Sequence, residues 1–202
     1  MIVLIITAVR IKSMDSHRIS GRILAENIAG PGMLRLVEQS MQARARKTSV
    51  TEIAVKERKY PQAALTFDDG PDIRYTPLLL DGLKERNVRV SFFLLGEKVE
   101  QYPELVERMQ KEGHLVGNHT YHHVQLDKLN ETKAREEILK TNNLIYETTG
   151  VYPLYLRPPF GAWKKNLELC VEMLPVFWTI DTLDWKVKNT EKIVRTVKEQ
   201  IE

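Results

Sequence analysis

The sequence predicts an α/β fold: a parallel sheet with helices packed outside it, either closed into a barrel or left open. Three features predict it. From Pro61 onward, short apolar runs bounded by turn residues alternate with longer stretches of helical period. Polar residues gather where the inferred strands end, which is where parallel α/β sheets place their chemistry. Of the 202 residues, 28% are charged and 43% hydrophobic, so the chain is long and apolar enough to bury one substantial core.

The first run, MIVLIITAV, is apolar but far short of the roughly 20 residues that span a bilayer. Arg10 and Lys12 follow it instead of preceding it, unlike an ordinary signal peptide. Two readings stay open: the remnant of a signal anchor that starts upstream of Met1, or a buried strand. From Ser13 to about Lys59, helical patterning in GRILAENI and MLRLVEQSMQARAR is interrupted by Gly30, Pro31 and Gly32. Residues 1–55 are therefore expected to form an apolar segment and a helical appendage, and residues 56–202 the main domain.

Within that domain AALTF, VRVSFFLL, HLVGN, PLYLR and PVFWTI read as strands. Between them YTPLLLDGLKERN, YPELVERMQKEG, ETKAREEILKTNNLIYETTG and KKNLELCVEML read as helices, with Gly113 and Gly150 placed as left-handed caps. Strict alternation of the two argues for parallel strands joined by crossover helices. Thirty Lys and Arg against 27 Asp and Glu leave +3, and no basic block interleaved with aromatics appears, so no nucleic-acid partner is expected. The one cysteine, Cys170, makes no internal disulfide and reads, like His114, as a core residue.

The chemistry sits in two places. Asp68 and Asp69 are adjacent in TFDDGP, and about fifty residues on, His119 and His123 are spaced four apart in GNHTYHH. One carboxylate and two imidazoles hold a divalent cation while leaving positions open for water and substrate, and the second carboxylate is then free to act as a base. On a helix either His122 or His123 could partner His119. Arg157 follows PLYL, and Asp181 and Asp184 follow PVFWTI, so several strands deliver polar residues to one rim. Taken singly these motifs read as a turn, a solvated loop, a rigid bend and a cap for a helix near Asn189; taken together they point to a metal hydrolase.

In order and spacing TFDDGP, HTYHH, RPPFG (Arg157 to Gly161) and DTLDW (Asp181 to Trp185) resemble the polysaccharide deacetylases of carbohydrate esterase family 4, the NodB-homology group, over roughly Pro61 to the C-terminus. The resemblance implies a distorted (β/α) barrel with parallel strands and outer helices. It implies that Asp68 is the base, that Asp69, His119 and His123 bind the metal with His122 left outside, and that Arg157 orients Asp68. Pro159, Phe160 and Gly161 would form the substrate groove, with the Phe160 backbone N–H as oxyanion donor. Trp185 would line the pocket and Asp184 would support a catalytic histidine. Zinc is the first choice of metal, with cobalt, nickel or manganese also suited to these ligands.

The activity so implied is removal of N-acetyl groups from a GlcNAc-containing polysaccharide such as peptidoglycan or a chitin oligosaccharide, outside the cytoplasm or at the cell envelope. The apolar N-terminus leaves membrane attachment open. The other readings are O-deacetylation of acetylated xylan or another glycan, and a glycan-binding or scaffold protein without turnover. One departure stands out: the family's fifth motif, a leucine and histidine on a late strand, has no match, since the five histidines are His17, His114, His119, His122 and His123. The expectation is a fragment of a longer enzyme, its barrel incomplete at the C-terminal end and its turnover weak. Nothing in the sequence indicates an oligomeric state.

Overall fold

The computed structural model describes residues 3–7, 63–163 and 173–201. The appendage expected before the main domain, most of the helix expected in KKNLELCVEML, and Cys170 lie outside the described residues.

Seven strands form one sheet: β1 (Val3–Thr7), β2 (Ala64–Gly70), β3 (Ser91–Leu94), β4 (Leu115–Asn118), β5 (Tyr155–Leu156), β6 (Leu174–Pro175) and β7 (Ile180–Asp181), in the order β6-β5-β4-β3-β2-β1-β7. From β2 to β6 every pairing is parallel, as the alternation of strand and helix predicts. The apolar N-terminal run is a strand, but it enters antiparallel between β2 and β7, with Val3 opposite Asp68 and Ile5 opposite Asp181. Among the described residues no helix is long and apolar enough to cross a membrane.

The helices are α1 (Tyr75–Glu85), α2 (Gly96–Gln101), α3 (Pro103–Lys111), α4 (Glu131–Thr149), α5 (Asp184–Val187) and α6 (Thr190–Gln200). Three of them bury a stripe at helical spacing: Thr76, Leu80 and Leu83 from α1, Leu105, Val106 and Met109 from α3, Ala134, Ile138 and Ile145 from α4, whereas α6 buries none of its residues. Burying each large apolar side chain contributes about 1.5–3 kcal/mol before chain entropy is counted. Ends are set locally. Asp72 Oδ1 accepts the N–H groups of Arg74 and Tyr75 at the head of α1, and Pro103 opens α3. Asn130 caps α4 by accepting from the Lys133 N–H, and Gly150, at φ 71°, closes it.

Several bounds differ from the sequence expectation. The strand read over Val88–Leu95 is confined to Ser91–Leu94, and α2 follows it as a short helix that its six residues are too few to reveal by period. PVFWTI divides into β6, which begins at Leu174, and β7. An apolar run shows that a segment is buried, whereas a strand ends where its ladder partner ends.

The central strands bury residues on both faces. Phe67 and Phe92 stack at 5.5 Å within the helix-side core, while Phe93, one residue on, lies on the other face beneath the Arg157 guanidinium at 4.1 Å. At the opposite end of these strands His114 is buried edge-on against Phe92, and its Nδ1 accepts the Val90 N–H at 3.3 Å. Burial lowers its pKa, Arg89 and Arg108 push the same way, and Glu112 opposes them without prevailing.

Two predictions follow from this packing. A Cβ on Gly96 would lie 2.5 Å from both Thr141 Oγ1 and Tyr121 Cδ2, so Gly96→Ala is expected to destabilise the fold by about 1–3 kcal/mol in denaturant titration. His114 is neutral in the fold and its folded pKa lies below the unfolded value of about 6.5, so its contribution is present above that pH and lost as pH falls below it. The melting temperature should fall between pH 7.5 and 5.5, and by less in His114→Gln.

Candidate metal centre

Strand β2 alternates, sending Thr66 and Asp68 to one face and Phe67 to the other. Continued alternation would send Asp69 into the apolar core beside Phe67. A bulge prevents this: pairing with β3 jumps from Asp68 opposite Phe93 to Gly70 opposite Leu94, and Asp69 takes φ 64°. A left-handed non-glycine residue costs roughly 1–2 kcal/mol. Lys98 on α2 braces it by donating its ammonium to the Asp69 carbonyl at 2.6 Å.

The re-aimed carboxylate meets two imidazoles. Asp69 Oδ1 lies 3.4 Å from His119 Nε2 and 3.4 Å from His123 Nε2, and one ligand atom from each residue fits within 4.8 Å of the others. His119 Nδ1 is 2.6 Å from the Arg157 carbonyl oxygen, which only accepts, so Nδ1 carries the proton and Nε2 presents its lone pair. Asp69 Oδ1 is buried and has no hydrogen-bond partner. His119 Nε2 and Asp69 Oδ1 are thus two acceptors facing each other, an arrangement that a cation accommodates. Burial pushes the His123 pKa down, toward the neutral ring that a metal requires. Burial acts to raise the Asp69 pKa, yet the carboxyl is held below its ordinary value, with the Lys98 ammonium among the groups that pull it down.

His122 stands apart. Residues 119–123 form a loop, with Thr120 at φ 66° and His123 at φ 57°, so helical spacing does not select the ligands. The His122 ring turns to Glu137, with Nδ1 2.7 Å from Oε1.

Beside the cluster Asp68 is buried, its Oδ2 3.9 Å from His119 Nε2. Arg157, wholly buried, donates from Nη1 to Asp68 Oδ1 at 2.7 Å and to Thr66 Oγ1 at 2.8 Å. Burial raises the Asp68 pKa, outweighing the pull of His119 and Arg157 in the other direction.

Around this centre the turn Pro159–Gly161 carries Phe160, at φ 59° and 63% exposed, its ring 4.6 Å from that of His123. Pro159 is buried, and Gly161, at φ 67°, leaves room for the Trp178 ring. The structure thus joins Asp68, Asp69, His119, His123, Arg157 and Phe160 through direct contacts. Asp184 accepts from Thr182 Oγ1 at 3.3 Å within its own loop, and Trp185 on α5 is 46% exposed. Asp181 accepts the Leu183 N–H at 2.9 Å and so holds that loop. Thr66, Lys98, Phe93 and Glu137 escape the sequence reading. Of these only Thr66 carries a signal, its two-residue offset from Asp68 on a strand.

A sequence model of the family described as polysaccharide deacetylase matches residues 56–176. The chain belongs to the polysaccharide deacetylase family. Its neighbours place it with carbohydrate esterase family 4, and its parallel sheet with helices is the one they share. This polysaccharide deacetylase is 45% identical over 139 residues to a peptidoglycan-N-acetylglucosamine deacetylase of Bacillus cereus, over 67% of this chain and 50% of that protein. To a chitooligosaccharide deacetylase of Rhizobium leguminosarum bv. trifolii it is 37% identical over 136 residues, 66% of this chain and 63% of that one. The structure of the peptidoglycan deacetylase PdaC from Bacillus subtilis superposes with a TM-score of 0.65 at 39% identity, covering 68% of each chain. The chain thus spans about half the length of the Bacillus cereus relative. Polysaccharide deacetylases of this family are metal-dependent, and the cluster of Asp69, His119 and His123 is a candidate metal site of this member.

Arg157→Met would leave Asp68 buried without its cation, a change that costs about 3–5 kcal/mol. The double variant with Asp68→Asn should lose less than the sum of the two single losses, measured by denaturant titration.

Proposed function

We propose that the chain is a metal-dependent hydrolase that removes N-acetyl groups from a GlcNAc-containing polysaccharide, with peptidoglycan as the first substrate class. The observation that carries the reading is the convergence of Asp69 Oδ1, His119 Nε2 and His123 Nε2 beside a second, differently held carboxylate. Asp69, His119 and His123 would hold the ion. Mixed nitrogen and oxygen ligands favour zinc, and cobalt, nickel or manganese suit the same set. A cation bound there supplies Lewis acidity toward the acetyl carbonyl and brings the pKa of a water from about 15.7 toward about 7.

The chain's own residues do the rest. Asp68 accepts the proton of the attacking water, and its raised pKa brings it closer to the operating pH that general-base catalysis favours. Arg157 and Thr66 keep that carboxylate in one orientation. The new bond joins the water oxygen to the acetyl carbon, the carbon–nitrogen bond breaks, acetate leaves and the amine takes up a proton. The Phe160 N–H donates to the oxyanion that develops between these steps. Phe160 and Trp185 offer exposed aromatic faces on which sugar rings stack, and Pro159 and Gly161 shape the turn that presents the first. Asp184 would help orient the group that protonates the leaving amine. The relatives named as peptidoglycan deacetylases support a substrate in the wall and hence an extracytoplasmic location. The acetylated glycan is the partner proposed.

The test is acetate release from N-acetylglucosamine oligomers, peptidoglycan and acetylated xylan by the zinc-loaded protein. Asp68→Asn is expected to bind zinc and to lower turnover by about 10²–10⁴. His119→Ala is expected to lose zinc and turnover together. Stoichiometric zinc binding with no acetate released from either N-acetylated substrate would overturn the reading, and release from xylan alone would make the protein an O-deacetylase.

A further inference from the structure

We infer that Glu137 is a positioning residue for the metal centre: from α4 its carboxylate fixes the loop that carries His119 and His123. The inference rests on the metal reading above and assigns the loop's geometry to a residue outside every motif. Between the two ligands the backbone is neither helix nor strand, and it turns twice through left-handed conformations, at Thr120 (φ 66°) and His123 (φ 57°). Such residues persist only where their surroundings over-determine them. No regular ladder receives the N–H groups of Tyr121 and His122.

Glu137 receives both. Its Oε2 accepts from the Tyr121 N–H at 3.0 Å and from the His122 N–H at 2.8 Å, and its Oε1 lies 2.7 Å from His122 Nδ1. A carboxylate that accepts two successive backbone amides defines the peptide planes on either side, hence the direction in which the chain leaves toward His123. The second anchor is Asn118 at the end of β4, itself held by the same helix: its Oδ1 accepts the Thr120 N–H at 2.7 Å while its amide donates to the Ile138 carbonyl and to Asn142 Oδ1. α4 thereby grips the loop at both ends, neutrally near His119 and with a charge near His123. The commitment of the His122 ring to Glu137 also explains why that histidine is not a ligand although it neighbours one.

Metal affinity depends on groups behind the ligands, and losing one typically costs about 10–100-fold. The experiment measures the zinc dissociation constant by chelator competition, with melting temperatures of the zinc-free and zinc-loaded forms, for the parent protein, Glu137→Ala, Glu137→Gln and Glu137→Asp. Glu137→Ala is expected to weaken zinc about 10–100-fold and to shrink the zinc-induced rise in melting temperature. Glu137→Gln is expected to stay within about threefold of the parent, because its amide oxygen accepts both N–H groups and its amide nitrogen donates to His122 Nδ1. Glu137→Asp keeps the charge but lacks the reach, and it carries the test if the alanine variant does not fold. It too should bind zinc at least about tenfold more weakly.

A residue that only stabilises the fold would lower the zinc-free melting temperature and leave zinc affinity unchanged. That outcome in Glu137→Ala or Glu137→Asp, or equal weakening in Glu137→Gln, overturns the inference while the parent's zinc binding upholds the metal reading. Absence of zinc binding by the parent overturns both.

Discussion

Two adjacent carboxylates on a strand point to opposite faces, and this site needs both on one face. The bulge at Asp69 resolves the conflict. Asp68 remains in step with Thr66 and faces Arg157, whereas Asp69 leaves the ladder and swings to the imidazoles. Without the left-handed turn one carboxylate would lie in the core beside Phe67, where a charge is costly. The rest of the centre is arranged around that turn: Lys98 holds its carbonyl, and the loop from Asn118 to His123 brings nitrogen atoms to its oxygen.

Arg157 couples what would otherwise be two half-sites. Its guanidinium pairs with the buried Asp68 and lies on the Phe93 ring, and its carbonyl sets the tautomer of His119. Asp68 and His119 therefore share one residue at the end of β5. A buried ion pair is weak evidence for stability in general, because desolvation offsets the attraction. Here its value lies in orientation, since the same side chain also engages Thr66 and cannot move without releasing Asp68.

Four of the seven left-handed non-glycine residues among the described residues lie at the centre. Asp69, Thr120, His123 and Phe160 all have positive φ, and all border or belong to the cluster. Strain of this kind survives where neighbouring elements restrain it, and the helices do so from outside the sheet. α2 presses Gly96 against Tyr121, and α4 supplies Glu137 and Asn142. Rigid parallel strands end at the site, and helices behind them fix the irregular backbone that carries the ligands.

Much of this was legible in the chain alone. Alternating apolar runs and helical stretches predict the parallel pairing of β2 to β6, and Gly150 marks the end of α4, because such signals act within a few residues. Asp68, Asp69, His119, His123 and Arg157 are recognisable because their motifs follow strands. What tertiary structure decides is different in kind. The choice of His123 over His122 rests, within the structure, on backbone turns that no periodicity encodes and on a carboxylate from a distant helix. Period locates α3, while α2 is too short to show one. The antiparallel entry of β1 is equally invisible, because an apolar run does not name its neighbours. Local chemistry determines which residues carry donors, acceptors and charge; only long-range packing decides which of them meet.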